Sequence, residues 1–146
     1  MEILNLTIPR IPMFLEFIER NKTDISFFHP HAFNYEAVKS IIQRKNNDQY
    51  KIIIHDNKVI GYGLLRGWDG GFEIPSLGIM IDSEYRGTGI SKMFMIYLES
   101  ECKIRGVKKI RLVVYKNNIK AINTYKKLGY DLTEHDNTQL IGFKNL

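Results

Sequence analysis

Hydrophobic and polar residues alternate from the start of the chain, with Ile3, Asn5 and Thr7 set against Leu4, Leu6 and Ile8. This predicts a strand over Glu2–Ile8, closed by Pro9 and Pro12. The spacing then turns helical. Phe14, Leu15, Phe17 and Ile18 predict a short amphipathic helix starting at Pro12 and ending near Asn21. Pro30 forbids a continuous helix through the aromatic segment Asp24–Phe33. Asn34 caps a second helix to about Gln43, with Tyr35, Val38, Ile41 and Ile42 inward. Tyr50–His55 and Lys58–Leu65 read as a hairpin about Asp56-Asn57, with Gly61 and Gly63 marking close packing or a bulge. The glycine-rich loop Arg66–Gly71 leads into a strand from about Phe72, whose apolar run through Ile81 suits burial on both faces.

A third helix is marked by Ile90, Met93, Phe94, Tyr97 and Leu98, and a strand by alternation over Lys109–Val114. Asn118 caps a fourth helix carrying Ala121, Ile122, Tyr125 and Leu128 on one face, with Gly129 placed for its C-terminal stop. Tyr130–Thr133 and Gln139–Phe143 complete the pattern as strands around the turn Glu134–Thr138. This order implies an α/β layer architecture around one mixed sheet, in a single domain spanning residues 1–146.

The turn after Ile81 carries the densest chemistry. Gly87 and Gly89 let the backbone come close to a ligand without a Cβ in the way. The loop amides fall at a helix N-terminus, where unpaired N–H groups and the positive end of the macrodipole favour an anion such as pyrophosphate. A Walker loop needs Lys-Ser or Lys-Thr after its last glycine, whereas Ile90-Ser91-Lys92 has the wrong order. A dinucleotide fingerprint needs three glycines opening the first βαβ unit, and this turn lies past the midpoint with two. The remaining pattern, R-x-x-G-x-S from Arg86 to Ser91, resembles the acyl-CoA pyrophosphate loop of the GNAT superfamily of N-acetyltransferases. That loop is usually written Q/R-x-x-G-x-G/A, and Ser91 departs from its final residue. Asn118 to Tyr130, N-x-x-A-I-x-x-Y-x-K-L-G-Y, is similar to the second signature of the same superfamily.

The resemblance implies an α/β fold of the α+β, three-layer kind, with a mixed, mostly antiparallel central sheet flanked by helices. It also implies acetyl-CoA as co-substrate. Backbone groups of Ile79, Met80 and Ile81 would pair with the pantetheine arm, and the Asn118 side chain would sit near it. The amides of Arg86, Gly87, Thr88, Gly89, Ile90 and Ser91 would hold the pyrophosphate. Tyr125 matches the tyrosine that protonates the departing thiolate, although spacing alone makes it a core residue. For the base, Glu73 lies upstream on the strand expected before the loop. Many relatives carry the acid where Pro75 stands, and period two puts residues 73 and 75 on the same side. His31 and His29, among Phe27, Phe28 and Phe33, are the rivals. Their H-x-H spacing lacks a cysteine or acidic set to complete a metal site, so no metal is expected.

Composition changes this picture little. The chain has 146 residues, large enough for a core without staples, and its one cysteine, Cys102, falls in an apolar-periodic helix as a small buried hydrophobe. A net charge of +5 admits nucleic acid, an anionic membrane or anionic small molecules as partners. The phosphates of a CoA donor account for the excess, and no nucleic-acid reader motif is present. The N-terminus lacks a basic region followed by an apolar core, and no apolar run approaches membrane-spanning length, so a cytoplasmic location without membrane association is expected. The expected acceptor is a small-molecule amine. The aromatic segment with Trp68 suggests an amino sugar or a nucleotide-linked amino sugar, against a protein N-terminus or polyamine. A CoA-binding regulatory module without catalysis is the competing class, and a homodimer is allowed.

Overall fold

The computed structural model describes residues 1–146. Seven strands form one sheet: β1 (Glu2–Asn5), β2 (Gln49–His55), β3 (Lys58–Arg66), β4 (Ser76–Ile81), β5 (Lys109–Tyr115), β6 (Asp131–Glu134) and β7 (Gln139–Asn145). Their order is β1-β2-β3-β4-β5-β7-β6, antiparallel throughout except where β4 runs parallel to β5. Four α-helices flank it: α1 (Ile11–Arg20), α2 (Tyr35–Arg44), α3 (Ile90–Ile104) and α4 (Ile119–Lys127). The expected mixed, mostly antiparallel sheet between helices is therefore present.

Strand parity divides the core into two layers. Tyr62, Leu64 and Met80 face Phe14, Phe17 and Ile18 of α1 and Val38 of α2. Leu65, Leu77 and Ile81 face Phe94, Met95, Leu98 and Cys102 of α3, together with Ile110 and Leu112 of β5. Burial raises the Cys102 thiol to about 12, so it remains a protonated, inert core group. Asp56 and Asn57 both take positive φ (49° and 59°), as a tight hairpin turn requires. The bulge anticipated near Gly61 is beside it on β3: Ile53 pairs with Gly61 and Ile54 with Val59, so Ile60 is the extra residue. At Gly63 the reason is close packing, since a Cβ there would stand 2.6 Å from the Phe94 ring.

Two boundaries move furthest from the sequence pattern. β1 stops at Asn5, and Ile8–Arg10 forms a short 3₁₀ turn instead. β4 begins at Ser76 rather than Phe72, because Pro75 has no N–H for a ladder and Gly71 turns the chain at φ 86°. Phe72, Glu73 and Ile74 are consequently left exposed in the loop ahead of the strand.

Candidate active site

β4 and β5 share a single registered pair, Ser76 with Arg111, where the Arg111 N–H donates to Pro75 O at 3.0 Å. Beyond that pair the two strands have no common ladder, and the sheet forks. Backbone direction alternates along β4. The Pro75 carbonyl points to β5 and the Asp82 N–H points to Ile60 of β3, so the odd residues Ile79 and Ile81 turn their amide groups into the fork. These groups offer a ligand the hydrogen bonds that a neighbouring strand would otherwise make.

The chain leaves β4 through a tightly fastened root. Asp82, almost wholly buried, accepts from Glu84 N at 3.0 Å and pairs with Arg20 at 3.2 Å. Asn21 receives Ser83 N at 2.9 Å while donating to Phe17 O at 2.9 Å. The end of α1 thus holds the start of the loop. Gly87 and Gly89 follow in the left-handed region, at φ 75° and 85°. Gly89 is the N-cap of α3 and supplies no side-chain cap, leaving the first amides of the helix available to an anion. A Cβ on either glycine would meet no atom within 4 Å, so the space beside the loop is open.

Loop and fork share one cleft of about 910 Å³. Tyr125 lines it from α4, its ring edge-on to Tyr130 with centroids 6.1 Å apart. Its hydroxyl has no hydrogen-bond partner in the chain, and burial raises its pKa to about 12, so it carries its proton at every physiological pH. Asn118 lines the cleft at the start of α4, where its Oδ1 accepts from Ala121 N at 3.4 Å.

Comparison with known proteins accords with this geometry. The model of the acetyltransferase (GNAT) family matches residues 14–130. The chain belongs to that family. Membership places it among acetyl-CoA-dependent N-acetyltransferases. An acetyltransferase of Sodalis glossinidius is 31% identical over 104 residues, covering 69% of this chain and 70% of its own. The curated relatives are matched over 66% and 70% of their lengths. Among solved structures, the PaiA N-acetyltransferase of Thermoplasma acidophilum in complex with coenzyme A is 19% identical with a TM-score of 0.83, over 99% of this chain and 98% of its own. A ribosomal-protein-alanine N-acetyltransferase of Brucella melitensis is 17% identical with a TM-score of 0.81, over 100% of both chains. These two likenesses concern the fold.

Within this GNAT domain the cleft collects Ile79, Met80, Ile81, Arg86, Gly87, Gly89, Ser91, Asn118 and Tyr125 of the residues anticipated from sequence, but the Met80 backbone, expected to face the pantetheine arm, is paired with Tyr62 of β3 instead. Thr88 and Ile90 do not line it: the Thr88 hydroxyl turns back to Tyr85 O, and Ile90 packs toward the α3 core. Glu73 stays in the exposed loop ahead of β4, outside the cleft. Trp68 is also elsewhere, stacked under Arg105 at 4.5 Å. Arg66, Ser76 and Lys92 line the cleft although sequence spacing did not single them out for it. Only the pairing of Ser76 with both neighbouring strands reveals the first two.

His31 is committed to the fold. Its Nδ1 donates to Ala32 O at 2.9 Å, so Nε2 accepts from the buried Tyr62 hydroxyl at 2.7 Å, a tautomer assigned from this network. Burial lowers its pKa. Between that lowered value and the ordinary one of about 6.5, the unfolded chain binds a proton that the folded chain lacks. The associated stability is present above the ordinary pKa and lost as pH falls through the folded one. Denaturant midpoints should therefore drop between pH 7 and pH 5, and His31→Gln should flatten that slope. An unchanged slope in the variant would remove His31 as its source.

Proposed function

We infer that the domain moves an acetyl group from acetyl-CoA to the primary amine of a small molecule, with both substrates held in the cleft at once. The supporting observation is that an uncapped helix N-terminus, unpaired strand edges and a free tyrosine hydroxyl open onto one cavity. The amides after Gly87 and Gly89 suit the donor's pyrophosphate, and the Ile79 and Ile81 backbone suits its amide-bearing arm. The acceptor nitrogen attacks the acetyl carbonyl, the C–S bond breaks, and Tyr125 passes its proton to the sulfur. Phe27 and Phe28 line the acceptor side and supply a stacking face for an amino sugar or a nucleotide-linked amino sugar. The solved ribosomal-protein-alanine acetyltransferase makes a protein N-terminus the acceptor class to test beside it.

A primary amine near pKa 10 is about one part in a thousand neutral at pH 7, so its proton must be displaced. The one carboxylate lining the cleft, Asp24, is held by Arg86 at 2.6 Å. His29 lines the cleft, makes no hydrogen bond in the chain, and stands edge-on to Phe33 at 5.7 Å. We assign it as the group that receives the proton.

Acetyl-CoA titration followed by thiol release with a panel of amines tests the activity; binding without turnover on any amine would favour a regulatory module. For the base, His29→Gln should lower the rate about 10²-fold near pH 7 and recover as pH approaches the acceptor's own pKa. Glu73→Gln should leave that profile unchanged. The reverse pattern would return the role to Glu73.

A further inference from the structure

The acceptor end of the cleft carries cations that the donor does not explain. Arg66 pairs with Ser76 across β3 and β4, and Ser76 pairs with Arg111 across β4 and β5. Registered partners point to the same face, so the two guanidinium stems flank Ser76 in one row at the apex of the fork. At about 3.3 Å per residue, that apex lies about 17 Å along β4 from Ile81, where the pyrophosphate loop begins. Phosphates held at the loop leave the arginines unengaged.

Neither arginine is neutralised within the chain. Arg66 donates Nη1 to Pro30 O at 2.7 Å and forms no ion pair. Arg111 forms neither an ion pair nor any side-chain hydrogen bond, and its Nε is fully buried without a partner. A buried unsatisfied donor costs stability, more so on a charged group, and a guanidinium fork matches the oxygens of a carboxylate or phosphate. The facing wall, Phe28, His29 and Pro30, supplies no acid. A Cβ at Gly78 would sit 2.8 Å from the Phe28 ring, so this wall lies directly over the strand and closes the row from above.

Resting on the acetyl-transfer reading above, we propose that the acceptor amine carries an anionic group, a carboxylate or a phosphate, and that Arg111 with Arg66 binds it. The anion offsets positive charge that the chain itself leaves unpaired. Arg111 is thereby a specificity-determining residue.

The test compares matched acceptors: glucosamine 6-phosphate with glucosamine, and an amino acid with its amide. The anionic member of at least one pair should be preferred about 10- to 100-fold in kcat/KM. The pair showing the preference identifies phosphate or carboxylate. Arg111→Gln should bring that ratio near one without changing acetyl-CoA affinity. In parallel, the Arg111 Nε–H resonance, assigned by its loss in Arg111→Gln, should shift on titration with the anionic member. A shift without turnover on any amine would retain the anion site and overturn acetyl transfer. Turnover with equal use of charged and neutral acceptors, and no shift, would retain acetyl transfer and overturn the anion site.

Discussion

Tyr125→Phe should lower kcat about 10²-fold with acetyl-CoA affinity nearly unchanged. The substitution keeps the ring packed at 6.1 Å from Tyr130 and deletes a hydroxyl that bonds to nothing else in the chain, so the fold loses little. On the proposed mechanism, what is lost is a proton delivered as the C–S bond breaks, an interaction made in the transition state and absent from the ground state. A phenol raised to about 12 is a weak acid for a thiolate in water. The same burial penalises a thiolate expelled into the cleft, which raises its proton affinity in parallel. The measurement is kcat across pH with an acceptor for which chemistry is shown to be slow, alongside a melting curve. Wild-type kcat in the variant would reduce Tyr125 to a packing residue, and a large loss of stability would show that the ring's setting had been misread.

Gly89→Glu should raise the Kd for acetyl-CoA more than about 10²-fold while the apo protein remains folded. Two effects act there and can be separated. An L-residue at φ 85° costs roughly 1–2 kcal/mol, whatever side chain it carries. The open space around its Cβ means that no clash adds to this in the unliganded chain. The carboxylate can then settle on the free amides of α3 and occupy the place proposed for the pyrophosphate, adding like-charge repulsion. Gly89→Ala carries only the backbone cost and should lose much less affinity. Calorimetric titration of both variants, with melting temperatures, distinguishes these contributions. Near-wild-type binding by Gly89→Glu would detach the loop from the donor's phosphates altogether.

Local order along the chain was legible because its causes are local. Period-two and helical spacing placed the strands and helices, Asn34 and Asn118 announced their caps, and the glycines between Ile81 and Ile90 marked a tight strand-to-helix loop. Each depends on backbone geometry and near neighbours, which the residues themselves specify. The resemblance to a known family added Tyr125, which spacing alone would leave in the core. Tertiary structure decided what depends on pairing between distant segments. Pro75 delays β4, so Glu73 never joins the strand that would have carried it toward the cleft. The lone pair of His31 is taken by Tyr62, 31 residues away, leaving His29 as the imidazole that opens onto the cleft. Arg66 at the end of β3 and Arg111 within β5 look like ordinary strand cations until the register through Ser76 sets them in one row. Register across a fork is fixed by packing on both faces of the sheet, and no periodicity within either strand records it.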